Sequence, residues 1–546
     1  MRRLALLGVC LMIGQAVAQH GTRLRIDTPA LEYAPGQLVV MFREGVAPVE
    51  RAWLRQAAGA RLVQRGQYAD YELWQLSPYA DMRRAAAQLL HSGWFAMVEP
   101  NWRIEAADDW IPNDPLYPLQ PALPVIGAPQ AWALWRGDDQ FTMAILDTGA
   151  RLDHQDLQPR LLPGYDFGND DDDPSDPFGH GTFVTGIAGA VTNNARGVAA
   201  VAPHGMILPV KVFTNAGSGF LNDLVDGVGY AITQGAHVIN LSLGSPNPLS
   251  ALQTALNTAW NAGVVIVAAA GNTNNSRPFY PAYYPVCIAV AACNLDGSKS
   301  DVSTFGDWVD VAAPSGDVYS LTTENNDAYG RNFGGFTSYA APFVTAQAAM
   351  LYGLVADEPT DRSRARAQAV RQLIETTATR VPGDYVAHGM INLRASVEKA
   401  LTVPVGGRVQ IQGYIGSYDG RTVEVVLRPR GSSTPLATAN GALNSVGVFE
   451  VSFFNYLGYY DLAFRVPGTL FKRVANARMR YPGITGINLM LVPGDVNGDN
   501  VINDVDLLQI LLAFGESDPS MDLNGDGTVN DSDLLLVLFN FGAQGE

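Results

Sequence analysis

Three polar residues far apart in the sequence, Asp147, His180 and Ser338, are of the types that carry out nucleophilic catalysis. Ser338 opens a run of small residues with helical spacing, in which Pro342 occupies a position that a first helical turn tolerates. The unpaired N–H groups at such a helix start could bind an oxyanion formed beside the serine. A serine hydroxyl also needs a base and a carboxylate that orients the base. His180 and Asp147 could supply them.

Asp147 and His180 both stand at the ends of predicted elements. Asp147 follows the apolar, strand-like run 141–146, and His180 leads into a predicted small-residue helix over 183–190. Taken singly, an aspartate after a strand is typical of a turn, a histidine beside glycine of a surface, and Thr-Ser before a helix of an N-cap. The chain order Asp, His, Ser is more specific, because it is one of the orders in which such triads occur.

At these residues the chain resembles the subtilisin-like serine proteases. The family motifs D-[ST]-G, H-G-T and G-T-S-x-A-x-P correspond here to DTG, HGT and FTSYAAP. The resemblance implies that Ser338 attacks a peptide carbonyl, that His180 serves as base and then acid, and that Asp147 orients His180. A further match, AAGN ending at Asn272, implies an amide that donates to the oxyanion together with the Ser338 N–H. An asparagine after glycine is otherwise common in turns.

Apolar, strand-like runs alternate with small-residue helices between residues 107 and 401, the predicted peptidase domain. The runs 143–146, 207–213, 238–243, 264–269 and 287–292 are typical of parallel strands buried on both faces, and 180–190, 221–234 and 249–262 of covering helices. We therefore expect an α/β fold, a subtilisin-like parallel sheet flanked by helices. Because ligands bind beyond the carboxyl ends of such strands, Asp147 lies where a site is expected.

Two glycine-containing segments match the family's substrate-binding segments: Gly217, Ser218 and Gly219 in one, and Ser242, Leu243 and Gly244 in the other. The resemblance implies that their backbone pairs with an extended protein or peptide substrate, which adds as a strand. Without the triad, both would look like plain loops. Thr273, after the oxyanion asparagine, carries no charge, so we expect a preference for apolar or aromatic P1 residues.

The resemblance also implies a calcium site in this domain. Asp156 and Asn194 match side-chain ligands of the family's high-affinity site, and three neighbours would add backbone carbonyls: Thr192, Arg196 and Val198. A loop that offers only oxygen ligands suits Ca²⁺. The acidic loop 170–176 could bind another ion, but a solvated charged loop is the more common outcome.

Two aromatic residues replace residues that are usual in the family. Phe336 stands where a glycine usually precedes Thr-Ser, and Phe183 where a second histidine often follows HGT. We expect Phe183 to matter only for packing. Phe336 could narrow the S1 entrance or, if the glycine needs a positive φ, strain the nucleophile turn. The alternative hypothesis is therefore a catalytically impaired, protease-like scaffold that acts as a calcium-dependent binding or assembly protein.

The N-terminal residues predict export and a pro-segment. Two arginines, an apolar run over 4–16 and the sequence Ala16-Val17-Ala18 are typical of a secretory signal peptide at residues 1–18. Residues 19–106 show a small α+β pattern, with strands at 37–42, 71–76 and 95–99 and helices at 49–58 and 80–90. This pattern, with a strand running into EPN, resembles the inhibitory pro-domain of subtilases, which implies a zymogen whose tail at 106–109 crosses the active site. An unrelated α+β module is the alternative.

The composition favours a soluble, secreted protein of several domains. The chain has 546 residues, too many for one core, and a net charge of −17, which argues against a nucleic-acid partner. No run after the signal peptide is long and apolar enough to span a membrane, and we expect a monomer. Cys287 and Cys293 lie in one predicted strand, roughly 20 Å apart in extended chain. That exceeds disulfide reach, so both are predicted to be buried core residues.

In residues 402–490, apolar and polar residues alternate with a period of two, and Pro404 marks the boundary with the peptidase domain. The runs 408–412, 422–427, 448–452 and 460–464 predict a small antiparallel β-sandwich. Such a module could be a spacer or a binding domain, and a spacer is the default expectation.

Residues 491–546 contain a duplicated pattern. Oxygen-bearing side chains recur at positions 1, 3, 5, 9 and 12 of an EF-hand-type loop, with a backbone carbonyl at position 7, and an apolar helix follows each copy. The copies comprise Asp495, Asn497, Asp499, Val501, Asn503 and Asp506, and then Asp522, Asn524, Asp526, Thr528, Asn530 and Asp533. With Asp instead of Glu at position 12, the module resembles a type I dockerin, which implies folding with Ca²⁺ and a cohesin-like partner. The recognition pairs 504–505 and 531–532 differ between the copies, and an unstructured acidic tail is the alternative.

Overall fold

The computed structural model describes residues 33–43, 45–66, 70–76, 85–86, 89–90, 92–102 and 109–546. The chain divides into two compact units, Met1–Ala106 and Ala107–Glu546. The predicted signal peptide and nearly all of the predicted processing region at 106–109 lie outside the described residues. No helix in the described part of the chain has the length and apolar character needed to cross a membrane.

In the first unit, four antiparallel strands form one sheet in the order β2-β3-β1-β4. The elements are β1 Tyr33–Phe42, α1 Pro48–Ala57, β2 Arg61–Arg65, β3 Glu72–Gln75 and β4 Phe95–Trp102. Leu54, Trp74 and Phe95 are buried in the core. The three predicted strands and the first helix are confirmed. Strand β2 is not evident from the sequence, because its residues are mostly exposed and lack an apolar alternation.

In the second unit, eight strands form a parallel sheet in the order β14-β11-β10-β9-β8-β5-β7-β6. They are β5 Thr142–Asp147, β6 Tyr165–Asp166, β7 Met206–Lys211, β8 Val238–Leu241, β9 Val265–Ala269, β10 Cys287–Cys293, β11 Val311–Pro314 and β14 Gly389–Met390. Strands β5, β8, β9 and β10 are buried along their whole length, which confirms the predicted parallel sheet. Cys287 and Cys293 are both free and buried, as predicted.

Helices flank this sheet, and a hairpin of β12 Val318–Leu321 and β13 Tyr329–Asn332 lies beside it. The helices are α2 Ala122–Val125, α3 Ala128–Leu134, α4 His180–Gly189, α5 Leu221–Thr233, α6 Ser250–Asn261, α7 Thr337–Val355, α8 Arg364–Thr377 and α9 Leu393–Leu401. Helix α4 begins at His180, the first residue of the predicted covering helix 180–190. Gly179, with φ of +94°, turns the chain directly before it, a conformation that glycine adopts without strain.

Residues 402–491 form two more sheets around a shared core. The strands are β15 Thr402–Ile411, β16 Thr422–Arg428, β17 Ala437–Ala442, β18 Val448–Phe454, β19 Gly458–Arg465, β21 Lys472–Met479 and β22 Ile484–Leu491. The sheets have the orders β18-β15-β22 and β17-β16-β19-β21. The pair β15/β22 is parallel, unlike the antiparallel pairing predicted. Pro404 lies inside β15 rather than at a boundary. It is opposite Ser452 of β18, and β15 pairs with β22 only from Val405 onward.

The last residues contribute the short strand β23 Pro493–Asp495, which pairs with β20 Gly468–Thr469, and the helices α10 Asp504–Leu512 and α11 Asp531–Phe539. The two helices contact each other around a small core that includes Ile502, Ile510, Val529 and Val537. Each helix follows one copy of the duplicated loop, so the sequence repeat is also a structural repeat.

Candidate active site

Asp147 and His180 meet at the carboxyl edge of the large sheet. Asp147 ends β5, His180 begins α4, and His180 Nδ1 lies 2.7 Å from Asp147 Oδ1. Asp147 is fully buried, whereas the His180 side chain is 23% exposed. Burial alone would lower the pKa of His180, but the charge and hydrogen bond of Asp147 and the charge of Asp176 outweigh it, so this pKa lies above its ordinary value. The contact occupies Nδ1 and leaves Nε2 available for proton transfer.

Ser338 is the second residue of α7 and is half-buried. Its Oγ donates a hydrogen bond to the Ser242 carbonyl at 3.2 Å, and Ser242 Oγ donates to the Ser338 carbonyl at 2.8 Å. The described hydrogen bonds include none between Ser338 and His180. The next residue, Tyr339, has its ring 5.6 Å from that of His180, so the serine turn adjoins the histidine. The Ser338 hydroxyl must exchange its bond to the Ser242 carbonyl for one to the ring before it can pass a proton to His180.

Asn272 lies on the surface beside the serine turn. The backbone N–H and the hydroxyl of Thr337 both donate to Asn272 Oδ1, at 2.8 and 3.0 Å. Thr337 Oγ also accepts from the Gly271 N–H at 3.1 Å. These bonds engage the oxygen end of the amide, so its nitrogen end is the one left for a ligand. Thr337 is a site residue that sequence reasoning missed, although it adjoins the serine in the matched motif.

Asp176 is a second buried carboxylate beside His180, and it is the aspartate that departs from the predicted solvated loop 170–176. Residues 170–173 are exposed, but Asp176 is only 5% exposed. Its Oδ1 accepts from Thr148 Oγ and from the N–H groups of Phe178 and Gly179, at 2.8–3.0 Å. Its Oδ2 accepts from Thr182 N and Oγ, at 2.8 and 2.7 Å. Asp176 thereby joins the turn after Asp147 to the first turn of α4. Its position four residues before His180 is the sequence feature that could have identified it.

An aromatic cluster centred on Tyr339 lies beside the histidine. The Tyr339 ring lies 4.7 Å from Phe183 and 6.3 Å from Phe336, in addition to its contact with His180. Phe183 is 8% exposed and packs as predicted. Phe336 has φ of −82° and ψ of 142°, an ordinary extended backbone, so the predicted strain at this position is absent. The positive φ falls instead on Gly335, at +61°.

The two predicted substrate segments follow strands β7 and β8, which lie on either side of β5. Gly217 has φ of +77° within a turn closed by a hydrogen bond from Thr214 N to Ser218 O, and Ser218 and Gly219 are exposed. In the other segment Ser242 is buried, Leu243 half-buried and Gly244 exposed. Because the carboxyl ends of parallel strands meet at one edge, both segments flank the residues described above.

The predicted peptidase-domain metal residues lie together. Asp156 is fully buried and accepts hydrogen bonds from Asn194 Nδ2 at 2.6 Å and Val198 N at 3.3 Å. Burial, with the charge of Asp114, raises the pKa of Asp156 to about 7. Asp114, which sequence reasoning missed, is 2% exposed and accepts from the N–H groups of Asn193 and Asn194. The ion pairs of the described residues include neither carboxylate, and such a pair suits a divalent cation. Thr192 and Arg196 belong to the same loop.

The two EF-hand-type loops share one hydrogen-bond pattern. Asp506 and Asp533, at position 12, are fully buried. Asp506 Oδ1 accepts from the N–H groups of residues 496 and 497, and Asp533 Oδ1 from those of 523 and 524. Asn503 and Asn530 cap the following helices. Asp495 Oδ1 is buried without a partner, and burial raises the pKa of Asp495 to about 6. An oxygen-rich loop with an unpaired buried carboxylate oxygen fits Ca²⁺.

Comparison with known proteins agrees with this site. Residues 138–398 match the Subtilase family, and residues 26–101 match the Fervidolysin N-terminal prodomain. The chain is 37% identical over 363 residues to the thermophilic serine proteinase of Bacillus sp. (strain AK1), covering 66% of this chain and 86% of that relative. It is 43% identical over 292 residues to thermitase of Thermoactinomyces vulgaris, covering 53% of this chain and 100% of the relative. The chain therefore belongs to the subtilase family.

The chain is a serine endopeptidase of subtilisin type, made with an N-terminal prodomain and hence as a zymogen. The family match ends at residue 398, so residues 402–546 lie beyond it.

Proposed function

We propose that the chain is a secreted, calcium-stabilised endopeptidase whose catalytic triad is Asp147, His180 and Ser338. The observation that carries this proposal is the 2.7 Å contact between His180 Nδ1 and the fully buried Asp147 Oδ1. A buried carboxylate in this position orients the ring and stabilises its protonated form. Secretion rests on the signal-peptide pattern of residues 1–18.

The reaction begins when Ser338 Oγ leaves the Ser242 carbonyl and transfers its proton to His180 Nε2. The Oγ forms a bond to the substrate carbonyl carbon, and the carbonyl oxygen takes up the negative charge. His180 then gives the proton to the leaving amine as the peptide C–N bond breaks, and water hydrolyses the acyl-enzyme by the same steps in reverse. The Asn272 amide and the Ser338 N–H stabilise the oxyanion, and one such donor contributes about 3 kcal/mol.

Substrate would bind as an added strand between the two segments at the sheet edge, Gly217–Gly219 and Ser242–Gly244. Backbone pairing recognises any extended peptide, so the pockets that bind substrate side chains determine the sequence specificity. With the uncharged Thr273 after the oxyanion asparagine, an apolar or aromatic P1 residue is preferred.

A fluorophosphonate probe tests the triad against the alternative of an inactive scaffold, because it labels only an activated serine. The folded, processed parent and a Ser433→Ala control, which alters an exposed serine of the C-terminal region, should label equally. Ser338→Ala should not label. A folded, processed parent that does not label would refute the triad and favour the binding-protein alternative.

Calcium would be held by two groups of residues. In the peptidase domain these are Asp156 and Asn194 with the carbonyls of Thr192, Arg196 and Val198, and Asp114 lies beside them. In the C-terminal repeats they are the loop positions around Asp495 and Asp506 and around Asp522 and Asp533. When bound, the ion would neutralise buried carboxylates and tie the loops together.

A second function, assembly through the dockerin-like module, is favoured by the apolar surface of its two helices. The two helices expose three large apolar side chains at equivalent places, Leu508, Leu511 and Leu512 on α10 and Leu535, Leu538 and Phe539 on α11, and α10 also exposes Val505. Exposed apolar patches of this kind mark protein interaction sites. We propose a cohesin-like partner. Calcium-dependent retention of the Ser338→Ala chain on an immobilised type I cohesin tests this, and no retention at saturating Ca²⁺ would refute it.

A further inference from the structure

Helix α7, which presents Ser338 at its first turn, has its other end deep in the protein. Leu354 and Val355, its last residues, are fully buried. The last carbonyls of a helix have no partners within the helix and need hydrogen-bond donors from elsewhere. In a buried position, water cannot supply these donors as freely as it does at the surface.

The donors come from residues far along the chain. Arg478 Nη2 donates to the Val355 carbonyl at 2.7 Å. Arg480 Nη1 donates to the carbonyls of Leu354 and Gly353, at 3.0 and 3.3 Å. Arg478 belongs to β21 and Arg480 follows it, in the region after the peptidase domain. Two cations therefore cap the negative end of the dipole of α7.

Asp357, just beyond the end of α7, holds both arginines in place. It accepts hydrogen bonds from Arg478 Nε at 2.7 Å and Tyr459 Oη at 2.9 Å, and forms an ion pair with Arg480 Nε at 2.9 Å. The three charged side chains are only 15–24% exposed. Burial alone would raise the pKa of Asp357, but these hydrogen bonds and the two positive charges outweigh it and hold this pKa below its ordinary value.

The peptidase domain and residues 402–490 are joined directly and contact each other at the junction. Helix α9 ends at Leu401 and β15 begins at Thr402, with no residue between them. Asn455 N donates to the Leu401 carbonyl at 2.9 Å. Leu457 and Tyr481 pack against the core of the peptidase domain. A spacer joined by a flexible linker would make none of these contacts.

We propose that residues 402–490, here called the β module, are a permanent clamp on helix α7. The module binds the carboxyl end of the helix through Arg478 and Arg480, and its partner surface is the peptidase domain of the same chain. The clamp contributes to the stability of the peptidase domain, so the active enzyme retains the β module. The sequence-based default, a spacer, is replaced by an integral structural element.

The test uses the full chain with Ser338→Ala, and its outcome does not depend on the proposed catalytic role because no readout measures activity. The clamp variant is Arg478→Ala with Arg480→Ala. The control is Arg380→Ala, which removes an ion pair whose side chains are 88% and 69% exposed. Thermal unfolding and hydrogen exchange of the last turn of α7 are measured, with the last turn of α8 as internal reference.

The clamp variant should unfold on the order of 5 °C lower than its parent and exchange faster in the last turn of α7 alone. The control should shift by about 1 °C or less, because exposed pairs contribute little. If the double variant does not fold, Arg478→Lys, which keeps the charge but loses the two-pronged contact, should still speed exchange there. Unchanged exchange at the end of α7 in the folded variants would overturn the proposal.

Discussion

Asp176→Asn tests whether the second buried carboxylate positions Asp147 and His180, the proposed catalytic pair. The amide keeps the shape of the side chain but offers one acceptor oxygen and one NH₂ group in place of two acceptors. In the less costly orientation, the NH₂ group faces Thr182. The Thr182 hydroxyl can then rotate to accept a hydrogen bond from it, but the Thr182 backbone N–H loses its acceptor. A buried N–H without a partner costs about 1–3 kcal/mol.

If the lost hydrogen bond destabilises by that amount the position of the first turn of α4 in which His180 is active, kcat/KM drops by about 5- to 150-fold. The loss should lie mainly in kcat, because Asp176 does not touch the substrate segments. The pH profile should also change. The charge of Asp176 helps to raise the pKa of His180, and only neutral His180 can accept the serine proton, so the acid limb of kcat/KM should move to lower pH in the variant.

The assay is steady-state hydrolysis of a peptide with an aromatic P1 residue, measured from acid to alkaline pH on processed enzyme. Asp153→Asn is the matched control, because it alters a nearby carboxylate that is 65% exposed. Its profile should equal that of the parent. If Asp176→Asn lowers the unfolding temperature but leaves both kcat and the acid limb in place, Asp176 is structural only and the positioning argument is wrong.

Three further predictions concern the proposed oxyanion donor, the proposed calcium loops and the proposed clamp. Asn272→Ala should lower kcat by about 10²- to 10³-fold with little change in KM, since its amide acts on the transition state; a change confined to KM would contradict this. Asp495→Ala should abolish one Ca²⁺-binding event in calorimetry of the full chain, whereas Asp419→Asn, an exposed carboxylate of the β module, should abolish none; unchanged stoichiometry would refute the first loop. Asp357→Asn should destabilise the chain most near neutral pH. Because the folded pKa of Asp357 is depressed, its contribution is present above the ordinary carboxyl pKa and is lost as pH falls. A stability difference from the parent that does not shrink on acidification would argue against the ion pairs.

The sequence by itself determined the fold class and the family. Buried strands such as β9 and β10 contain only apolar residues, and that pattern leaves little choice but a parallel sheet covered on both faces. The motifs of the proposed triad and the duplicated EF-hand-type loops are local, because each lies within a dozen residues of sequence. Their chemistry follows from residue type and spacing alone. For the same reason, the core role of Cys287 and Cys293 could be predicted from one strand.

The tertiary structure decided everything that depends on which distant segments meet. Asp176 belongs to an acidic run, and only its burial against Thr148 and Thr182 distinguishes it from its exposed neighbours. Strand pairing also depends on tertiary structure, since alternation over 408–412 predicts a strand at β15 but not that β22 pairs with it in parallel.

The clamp is the clearest case. Arg478 and Arg480 lie more than 120 residues after the carbonyls they bind, and in sequence they are ordinary charged residues of a strand end. A hydrogen bond depends on distance and direction in space, and chain separation carries no information about either. The residues proposed to do the chemistry can therefore be identified from the sequence, whereas the residues that hold them in place become apparent only in the folded chain.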